Sequence, residues 1–431
     1  MTTQYKQTGV SWIGEIPTDW SLSKLKTLAL YCGRGQAPTY SDDENDLIVI
    51  NQSCITYQGI DFSKVKYDKN SDYLSSKGRL LQNDFLINST GTGTLGRTCL
   101  YTYKTTAICD SHITIFRANS EILSPRILEY FFRYKQDFVV ALLSEGATNQ
   151  IELRRDWLLD MTIPLPPKEE QGQIVDHLDE KVGRVRELVA DKERLIELLE
   201  EQKQTLIHEA VTRGLDPERP TKPSGILWLG SIPEHWQSRR LKTLTTIIRG
   251  ASPRPIADPK YFADDGEYAW VRIADVTASN MYLNTTTQKL SDLGSSLSVR
   301  RYPGDLFLSI AGSVGKPIFA AIKCCIHDGF VAFDNVSNEL DTMYLYHILN
   351  SGHAYSGLGK MGTQLNLNID TVANIAIGLP PLQEQQTIVQ HIELETSKID
   401  ELIATARREI ELVREYEASL IYHVVTGKVR V

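Results

Sequence analysis

Two halves of the chain repeat one another, which restricts the fold to a duplicated architecture. The segment Trp12–Trp20 reads Trp-Ile-Gly-Glu-Ile-Pro-Thr-Asp-Trp, and Trp228–Trp236 reads Trp-Leu-Gly-Ser-Ile-Pro-Glu-His-Trp. A second motif, Ile-Pro-Leu-Pro-Pro at 163–167 followed by Glu170-Gln171, returns as Ile-Gly-Leu-Pro-Pro at 377–381 followed by Glu384-Gln385. Repeats with such a long period indicate two copies of one structural unit, so we expect two similar modules.

Each copy ends in a segment with the composition of a long helix. Residues 169–212 and 383–426 contain no proline and are rich in Glu, Lys, Leu and Arg. A proline pair precedes each segment, and Gly214 and Gly427 follow them, which is typical of helix starts and C-terminal caps. We therefore expect two helices of about 44 residues, each about 65 Å long at a rise of about 1.5 Å per residue.

Apolar residues recur at heptad spacing in both predicted helices. In the first helix they are Leu178, Val182, Val185, Val189, Ile196, Leu199, Leu206 and Ala210. In the second they are Ile392, Ile399, Ile403, Ala406, Ile410, Val413, Leu420 and Val424. Lys192, Lys203, Thr396 and Glu417 interrupt the pattern. Two helices of equal length with matching apolar faces should pair, and the pairing must be antiparallel because the first helix leads away from the first module.

The remaining residues predict modules with more strand than helix, because short apolar runs alternate with Gly, Asp and Asn turns. We expect strands at 46–50, 84–88, 269–273 and 305–309, and short helices at 124–143 and 341–350. The predicted fold class is α+β: two mixed, strand-rich globular domains separated by a long antiparallel two-helix coiled coil, with a pseudo-twofold internal repeat. The predicted domain limits are 1–165, 166–214 (first helix), 215–379 and 380–431 (second helix).

The distribution of charge bears on the kind of partner. A net charge of -8 argues against a simple basic nucleic-acid binder. However, residues 239–323 hold twelve lysines and arginines against seven acidic residues, and the long helices carry an acidic excess. A basic face on a module is compatible with DNA contact. The polar N-terminus and the interruption of the apolar run 306–322 by Gly and Pro predict a cytoplasmic protein.

Two glycine-containing loops occupy matching positions in the repeats. Residues 91–96 match the dinucleotide pattern Gly-x-Gly-x-x-Gly, but the following residues alternate like a strand, and Gly315-Lys316 lacks the spacing of a phosphate-binding P-loop. We interpret both as strand–turn–strand loops, whose hydroxyls and terminal cation suit phosphate contact. An ordinary hairpin turn is the alternative. The candidate DNA-binding residues here are Ser89, Thr90, Thr92, Thr94 and Arg97 in the first loop, and Ser309, Ser313 and Lys316 in the second.

A further matched pair of segments is Arg-Gly-Gln-Ala-Pro at 34–38 and Arg-Gly-Ala-Ser-Pro-Arg at 249–254. Arginine and glutamine suit the guanine and adenine edges of the major groove. The candidate DNA-binding residues in and near these segments are Arg34, Gln36, Tyr40, Asn51, Gln52, Arg249, Ser252, Arg254 and Arg272. Residues 148–150 and 363–364 form a third matched place. No zinc-type cysteine spacing and no catalytic constellation occurs in both repeats, so we expect no metal-binding and no catalytic residue.

This combination of motifs, present twice, resembles the specificity subunit of type I restriction–modification systems. The resemblance implies that each module is a target recognition domain for one half of a bipartite, asymmetric double-stranded DNA site, and that the helices are spacers. It also implies a non-catalytic chain without a cofactor of its own. The implied partners are two methyltransferase (modification) subunits and restriction/translocase subunits, which carry S-adenosylmethionine, ATP and Mg.

Two other classes of function stay open from the residues alone. One is a coiled-coil adaptor whose end modules bind proteins or glycans, which the acidic total favours and the basic cluster at 239–323 opposes. The other is a nucleotide-dependent enzyme, which has only the two glycine loops in its favour.

Overall fold

The computed structural model describes residues 4–431 except 57–58, 70–72, 74, 92, 135–139, 142–143, 146–151 and 357–366. The chain forms two compact units, one of Met1–Lys192 with Arg407–Val431 and one of Glu193–Ala406. Each unit therefore contains one globular module and a part of both long helices. Within the described residues, no helix is both long and apolar enough to cross a lipid bilayer.

The described helices are short except for two. They are α1 (Leu25–Leu28), α2 (Pro125–Tyr134), α3 (Arg155–Asp160), α4 (Lys168–Arg213), α5 (Ile273–Ala278), α6 (Asp292–Ser296), α7 (Thr342–Asn350), α8 (Ile369–Ala373) and α9 (Leu382–Val425). Single 3-10 turns lie at Phe62–Lys64, Leu241–Thr243, Pro259–Tyr261 and His353–Tyr355.

The two long helices, α4 and α9, begin and end within one residue of the limits that the sequence predicts. Their ends follow from local chemistry. Gly214 and Gly427 have φ angles of 75° and 69°, in the left-handed region where glycine carries no Cβ penalty. The shorter helix expected at 341–350 is confirmed as α7, with the Asp341 side chain accepting hydrogen bonds from the first turn. The helix expected at 124–143 is described only as α2, and part of the expected span lies outside the described residues.

The first module contains two four-stranded sheets and several two-stranded ones. Its strands are β1 (Tyr5–Gln7), β2 (Glu15–Pro17), β3 (Ser21–Lys24), β4 (Ala29–Arg34), β5 (Tyr40–Ser41), β6 (Leu47–Ile50), β7 (Ile55–Thr56), β8 (Gly59–Ile60), β9 (Lys66–Asp68), β10 (Asp84–Asn88), β11 (Thr98–Tyr101), β12 (Ala107–Cys109), β13 (Ile113–Ala118), β14 (Ser144–Glu145), β15 (Glu152–Leu153) and β16 (Thr162–Leu165). The larger sheets have the orders β11-β10-β13-β4 and β12-β6-β9-β5.

The second module repeats this plan. Its strands are β17 (Thr221–Pro223), β18 (Ser231–Pro233), β19 (Gln237–Arg240), β20 (Thr246–Arg249), β21 (Tyr268–Val271), β22 (Tyr282–Leu283), β23 (Gln288–Leu290), β24 (Val299–Arg301), β25 (Leu306–Ser309), β26 (Pro317–Ala320), β27 (Cys324–Ile326), β28 (Phe330–Asp334) and β29 (Ala376–Leu379). The larger sheets have the orders β20-β28-β25-β26-β22 and β23-β21-β27-β24.

The two modules share their topology as well as their motifs. The run β4-β13-β10-β11 in the first corresponds to β20-β28-β25-β26 in the second, and the parallel pair β6–β12 corresponds to β21–β27. The strands expected from the four apolar runs are observed as β6, β10, β21 and β25. Their central positions explain the continuous apolar runs, because residues of a buried strand face a core on both sides. The mixed α+β class and the internal duplication are confirmed.

The antiparallel pairing of α4 and α9 is visible within each unit. In the first unit, Leu178 near the start of α4 shares a buried cluster with Val424 near the end of α9. In the second unit, Leu199 clusters with Ile399 and Ile403. The two lysines that interrupt the heptads face carboxylates on the opposite helix: Lys192 Nζ lies 2.5 Å from Glu409 Oε2, and Lys203 Nζ lies 2.6 Å from Asp400 Oδ1. Both lysines at seam positions are thus ion-paired, which favours this register of the two helices.

The repeated tryptophan and Glu-Gln motifs join each long helix to a module. The Trp20 indole nitrogen donates to Glu170 Oε2 over 2.9 Å, and the Trp236 indole nitrogen donates to Glu384 Oε1 over 3.2 Å. Both indole rings are buried. A buried indole N–H needs an acceptor, so the glutamate in the first turn of each helix is required by the tryptophan of the module.

The neighbouring glutamines bind backbone groups at the same junctions. Gln385 accepts from the Asp341 amide over 2.8 Å and donates to the carbonyls of Glu339 and Pro380 over 2.7 and 2.9 Å. Gln171 makes the equivalent set of contacts in the first unit. Both glutamines are almost fully buried. The motifs that reveal the duplication in the sequence therefore hold the helix starts in place.

Candidate functional site

In the first unit, several loops meet around the segment between β12 and β13. The Tyr40 hydroxyl donates to Asp110 Oδ2 over 3.5 Å, and Gln36 forms a β-bridge with Asp110. The Thr90 hydroxyl lies 2.7 Å from His112 Nδ1. Segments far apart in the chain are thereby brought to one surface. We call it the first loop surface, made of the described residues among 34–40, 52, 90–97 and 110–112.

The glycine after the matched arginine explains how these segments approach so closely. A Cβ at Gly35 would lie 2.2 Å from the carbonyl oxygens of Cys109 and Asp110. At Gly250 in the second unit, a Cβ would lie 2.1 Å from the His327 carbonyl oxygen. Since no side chain fits at either position, the glycine that follows the matched arginine in both repeats is required by backbone packing.

The glycine loop of the first unit contacts the residues that follow β6. The Asn88 side-chain amide donates to the Gln52 carbonyl over 2.9 Å, and the Thr94 hydroxyl donates to Gln52 Oε1 over 3.4 Å. Arg34 forms an ion pair with Glu152 and donates to the Leu153 carbonyl over 3.5 Å. The loop itself links the antiparallel strands β10 and β11, so the strand–turn–strand interpretation is confirmed.

In the second unit, Asp328 organises the equivalent surface. Its carboxylate accepts from the Ser252 hydroxyl over 2.8 Å and from the Arg254 guanidinium over 3.2 Å. Arg249 Nε donates to the backbone carbonyl of Asp328 over 2.8 Å. The loop between the antiparallel strands β25 and β26 lies alongside, and its Ser313 hydroxyl is 2.7 Å from Thr277 Oγ1. We call residues 249–254, 272–277, 309–316 and 327–329 the second loop surface.

Burial and hydrogen bonding shift the ionisation of several groups on these surfaces. The Ser252 hydroxyl, with help from the nearby arginine, holds the pKa of Asp328 below its usual range, so this residue is a carboxylate near neutral pH. Burial raises the pKa of Asp110 and lowers that of Lys316. The Lys316 ammonium donates to the Thr277 carbonyl over 3.1 Å. It also donates to the Ser279 carbonyl over 2.5 Å, which leaves one of its three N–H donors for a phosphate.

The sequence-predicted DNA-binding residues differ in how far they reach solvent. Thr92 lies outside the described residues, as do the third matched segments 148–150 and 363–364. Asn51, Ser89 and Ser309 are buried, and the amide of Asn51 donates to the Lys64 carbonyl over 2.8 Å. These three are placed to support the loops rather than to meet a ligand. The residues that are exposed or partly exposed are Arg34, Gln36, Tyr40, Gln52, Thr90, Thr94, Arg97, Arg249, Ser252, Arg254, Arg272, Ser313 and Lys316.

The structure adds residues that the motif search does not select. Asp110, His112 and Asp328 position the predicted arginine, tyrosine and hydroxyl side chains. One sequence signal could have found the two aspartates. In each repeat an acidic residue follows a buried strand within two positions, in Ile-Cys-Asp-Ser-His and in Cys-Ile-His-Asp-Gly. In the described part of the chain, no group of three His, Cys, Asp or Glu side chains could hold a metal ion.

Both surfaces thus present guanidinium and hydroxyl groups held by carboxylates and backbone, and the first also presents the side-chain amides of Gln36 and Gln52. Such groups bind phosphates and the edges of nucleic-acid bases. They match the ligand chemistry that the resemblance implies.

Comparison with known proteins gives relatives over almost the full length. A Methanocaldococcus jannaschii protein, provisionally named the MjaX specificity subunit of a type I restriction enzyme, is 26% identical over 97% of this chain and 96% of its own. The type I restriction enzyme MjaVIII specificity subunit of the same organism is 25% identical over 75% of each chain.

Solved structures share the fold. A chain from work on complex assembly and conformational transition of the type I R-M system is similar with a TM-score of 0.75 and 21% identity, over 96% of this chain and 99% of that one. The HsdS subunit from Thermoanaerobacter tengcongensis is similar with a TM-score of 0.53 and 20% identity, over 96% of this chain and 98% of that one.

The family model described as the type I restriction modification DNA specificity domain matches twice, at residues 17–198 and 233–412. Each match covers one globular module and part of the long helix that follows it. The chain therefore belongs to the type I restriction–modification DNA specificity family and carries two of its specificity domains.

Proposed function

We propose that the first loop surface reads one half of a bipartite DNA site and that the second loop surface reads the other. The observation that carries this proposal is the equivalent placement of two loop sets whose side chains differ. Gln36 on the first surface has Ala251 as its counterpart on the second, while Arg34 and Arg249 are shared. Shared cations suit the phosphates that every site has, and different neighbours suit different bases. The two half-sites should therefore differ.

We infer that this chain supplies recognition and that partner subunits supply chemistry. Its titratable loop residues are engaged in positioning: His112 with Thr90, and Asp328 with Ser252 and Arg254. Modification subunits would bring S-adenosylmethionine for adenine methylation, and restriction subunits would bring ATP and Mg. An adenine in a duplex must leave the base stack to be methylated, and we infer that a modification subunit provides the pocket that receives it.

Exposed apolar residues on the long helices support the presence of such partners. Leu188, Leu412 and Tyr416 are exposed in the first unit, and Leu195, Leu198, Leu394 and Leu402 are exposed in the second. These water-facing side chains lie on helices that already bury one apolar face, so they are available to contact a partner subunit.

The test is DNA binding by the complex reconstituted with its modification subunits, after the target site is identified by methylome sequencing of cells that produce both. We expect tight binding to that site, with an affinity that falls steeply between about 50 and 200 mM salt as phosphate contacts are screened. Binding that is absent, or that does not depend on salt or sequence, would favour the adaptor alternative instead.

On the same assay, Arg254→Ala and Arg97→Ala should each weaken site-specific binding and methylation. Arg254 is exposed, and Arg97 donates to the Gly93 carbonyl over 2.9 Å at the end of the glycine loop. We expect a loss of about tenfold to a hundredfold for a base contact and less for a phosphate contact. Lys323→Ala is the control, because Lys323 pairs with Glu267 at the opposite end of β27 from Asp328. Unchanged binding in both arginine variants would remove them from the interface.

A further inference from the structure

The short helix before the last strand of each module starts differently in the two copies. In the second unit, Asn368 precedes α8, and its side chain accepts from the Thr371 amide over 2.8 Å and from the Thr371 hydroxyl over 2.7 Å. In the first unit, Arg154 and Trp157 stand at the equivalent positions, and Arg154 makes no capping hydrogen bond. The first module therefore lacks a stabilising cap that its own duplicate retains.

The residues that replace the cap form a surface pair. The Trp157 side chain is 40% exposed, which is unusual for so large an apolar ring. The Arg154 guanidinium lies 5.3 Å from the ring centroid and 3.2 Å from Asp156 Oδ1. Arg155, next in the chain, is also exposed. The result is an exposed indole beside an arginine that pairs with Asp156, in place of a neutral cap.

This pair is continuous with the first loop surface. The residue before Arg154 is Leu153, whose carbonyl accepts from Arg34 and whose amide donates to the Ser89 carbonyl over 2.9 Å. Leu153 is thus held by both segments that carry candidate DNA contacts. At the other end of α3, Lys24 and Lys26 lie 3.2 and 2.8 Å from Asp160. On and around α3, the basic residues Arg154, Arg155, Lys24 and Lys26 outnumber the acidic residues Asp156 and Asp160. This basic excess favours a nucleic acid over a basic protein surface or a lipid tail as the binding partner.

We propose that Arg154 and Trp157 contact the sugar–phosphate backbone of DNA beside the half-site read by the first module. The indole packs against a deoxyribose, and the guanidinium neutralises the adjoining phosphate. This inference depends on the proposed function. It goes further in that the first module has an aromatic and cationic backbone contact that the second lacks, because Asn368 and Thr371 carry neither a ring nor a charge. Backbone contacts position the protein and carry no base sequence, so the recognised sequence does not depend on the pair.

The double variant R154N/W157T tests the proposal, because it gives the first module the capping residues of the second. We expect the thermal midpoint of the chain to stay the same or rise. The reconstituted complex should bind its target duplex about tenfold more weakly, since one phosphate contact and one aromatic contact are removed. The plot of log affinity against log salt concentration has a negative slope, and its magnitude should decrease by about 0.9. The methylated sequence should be unchanged.

Lys104→Asn is the matched control for the loss of one positive charge. Lys104 is exposed in the turn after β11, whereas the glycine loop precedes that strand. The complex with Lys104→Asn should bind the target duplex with the affinity of the unaltered complex. Trp157→Phe, which keeps a flat ring, should bind more tightly than Trp157→Leu. Affinity and salt slope equal to those of the unaltered complex in R154N/W157T would overturn the proposal. Failure of the proposed function looks different, because then the unaltered complex itself shows no site-specific binding.

Discussion

Replacing residues 220–379 with the second module of a relative that has a different target should change one half of the methylated site and leave the other half as it was. The expected effect is complete, because the bases read by a module depend on its own loops. The second loop surface, including Arg254 and Asp328, lies entirely within the exchanged segment. Methylome sequencing of cells that produce the hybrid with its modification subunits gives the result directly.

The junctions of the exchange are chosen to preserve the attachment of the module. Residue 220 follows Gly214 at the end of α4, and residue 379 precedes the proline pair before α9. The donor must therefore keep a tryptophan equivalent to Trp236, so that Glu384 retains its indole donor. A hybrid with both half-sites changed would contradict modular reading, and a hybrid of the first module made in the same way should alter only the other half.

Gln385→Leu should lower the free energy of unfolding of the second unit by about 3 kcal/mol. The leucine fits the buried volume approximately, but the Asp341 amide and the carbonyls of Glu339 and Pro380 lose the partner that the glutamine provides. Each polar group left buried and unpaired costs about 1–3 kcal/mol, although water entering the site reduces the total. Chemical denaturation followed by circular dichroism measures the change.

The control for this variant is Gln386→Leu. Gln386 is the next residue on α9 and is exposed, so the same chemical change should alter stability by less than about 0.5 kcal/mol. Equal effects of the two substitutions would mean that the buried glutamine does not hold the helix start. Gln171→Leu should reproduce the large effect in the first unit, because its contacts are equivalent.

The long helices could be predicted closely because their determinants are local. Proline pairs, a glycine after the last apolar residue and a heptad pattern act within a few residues of the positions that they define. The internal repeat showed that the two helices match, and the antiparallel direction of their pairing followed because the first helix leads away from the first module. The same reasoning predicted that the glycine loops join two strands, since the residues after Gly96 alternate like a strand.

The individual contacts on the loop surfaces could not be predicted, because they join residues far apart in the chain. Asn51 follows a strand as an exposed polar residue would, yet it turns inward to the Lys64 carbonyl. Asp110 meets Tyr40, and Asp328 meets Arg254, across 70 and 74 residues. Such partners depend on sheet order, which a single sequence does not reveal. The repeat showed where the two surfaces are, but only the fold distinguishes the exposed side chains from those that support them.

The two ion pairs between α4 and α9 oppose the sliding of one helix along the other. If the helices slid past each other by one turn, about 5.4 Å, Lys192 would face Val413 or Thr405, and Lys203 would face Ala404 or Thr396. Neither direction offers a carboxylate, so slippage leaves two seam ammonium groups uncompensated. Slippage would therefore cost both ion pairs, whereas insertions of equal length at facing positions of both helices would keep them.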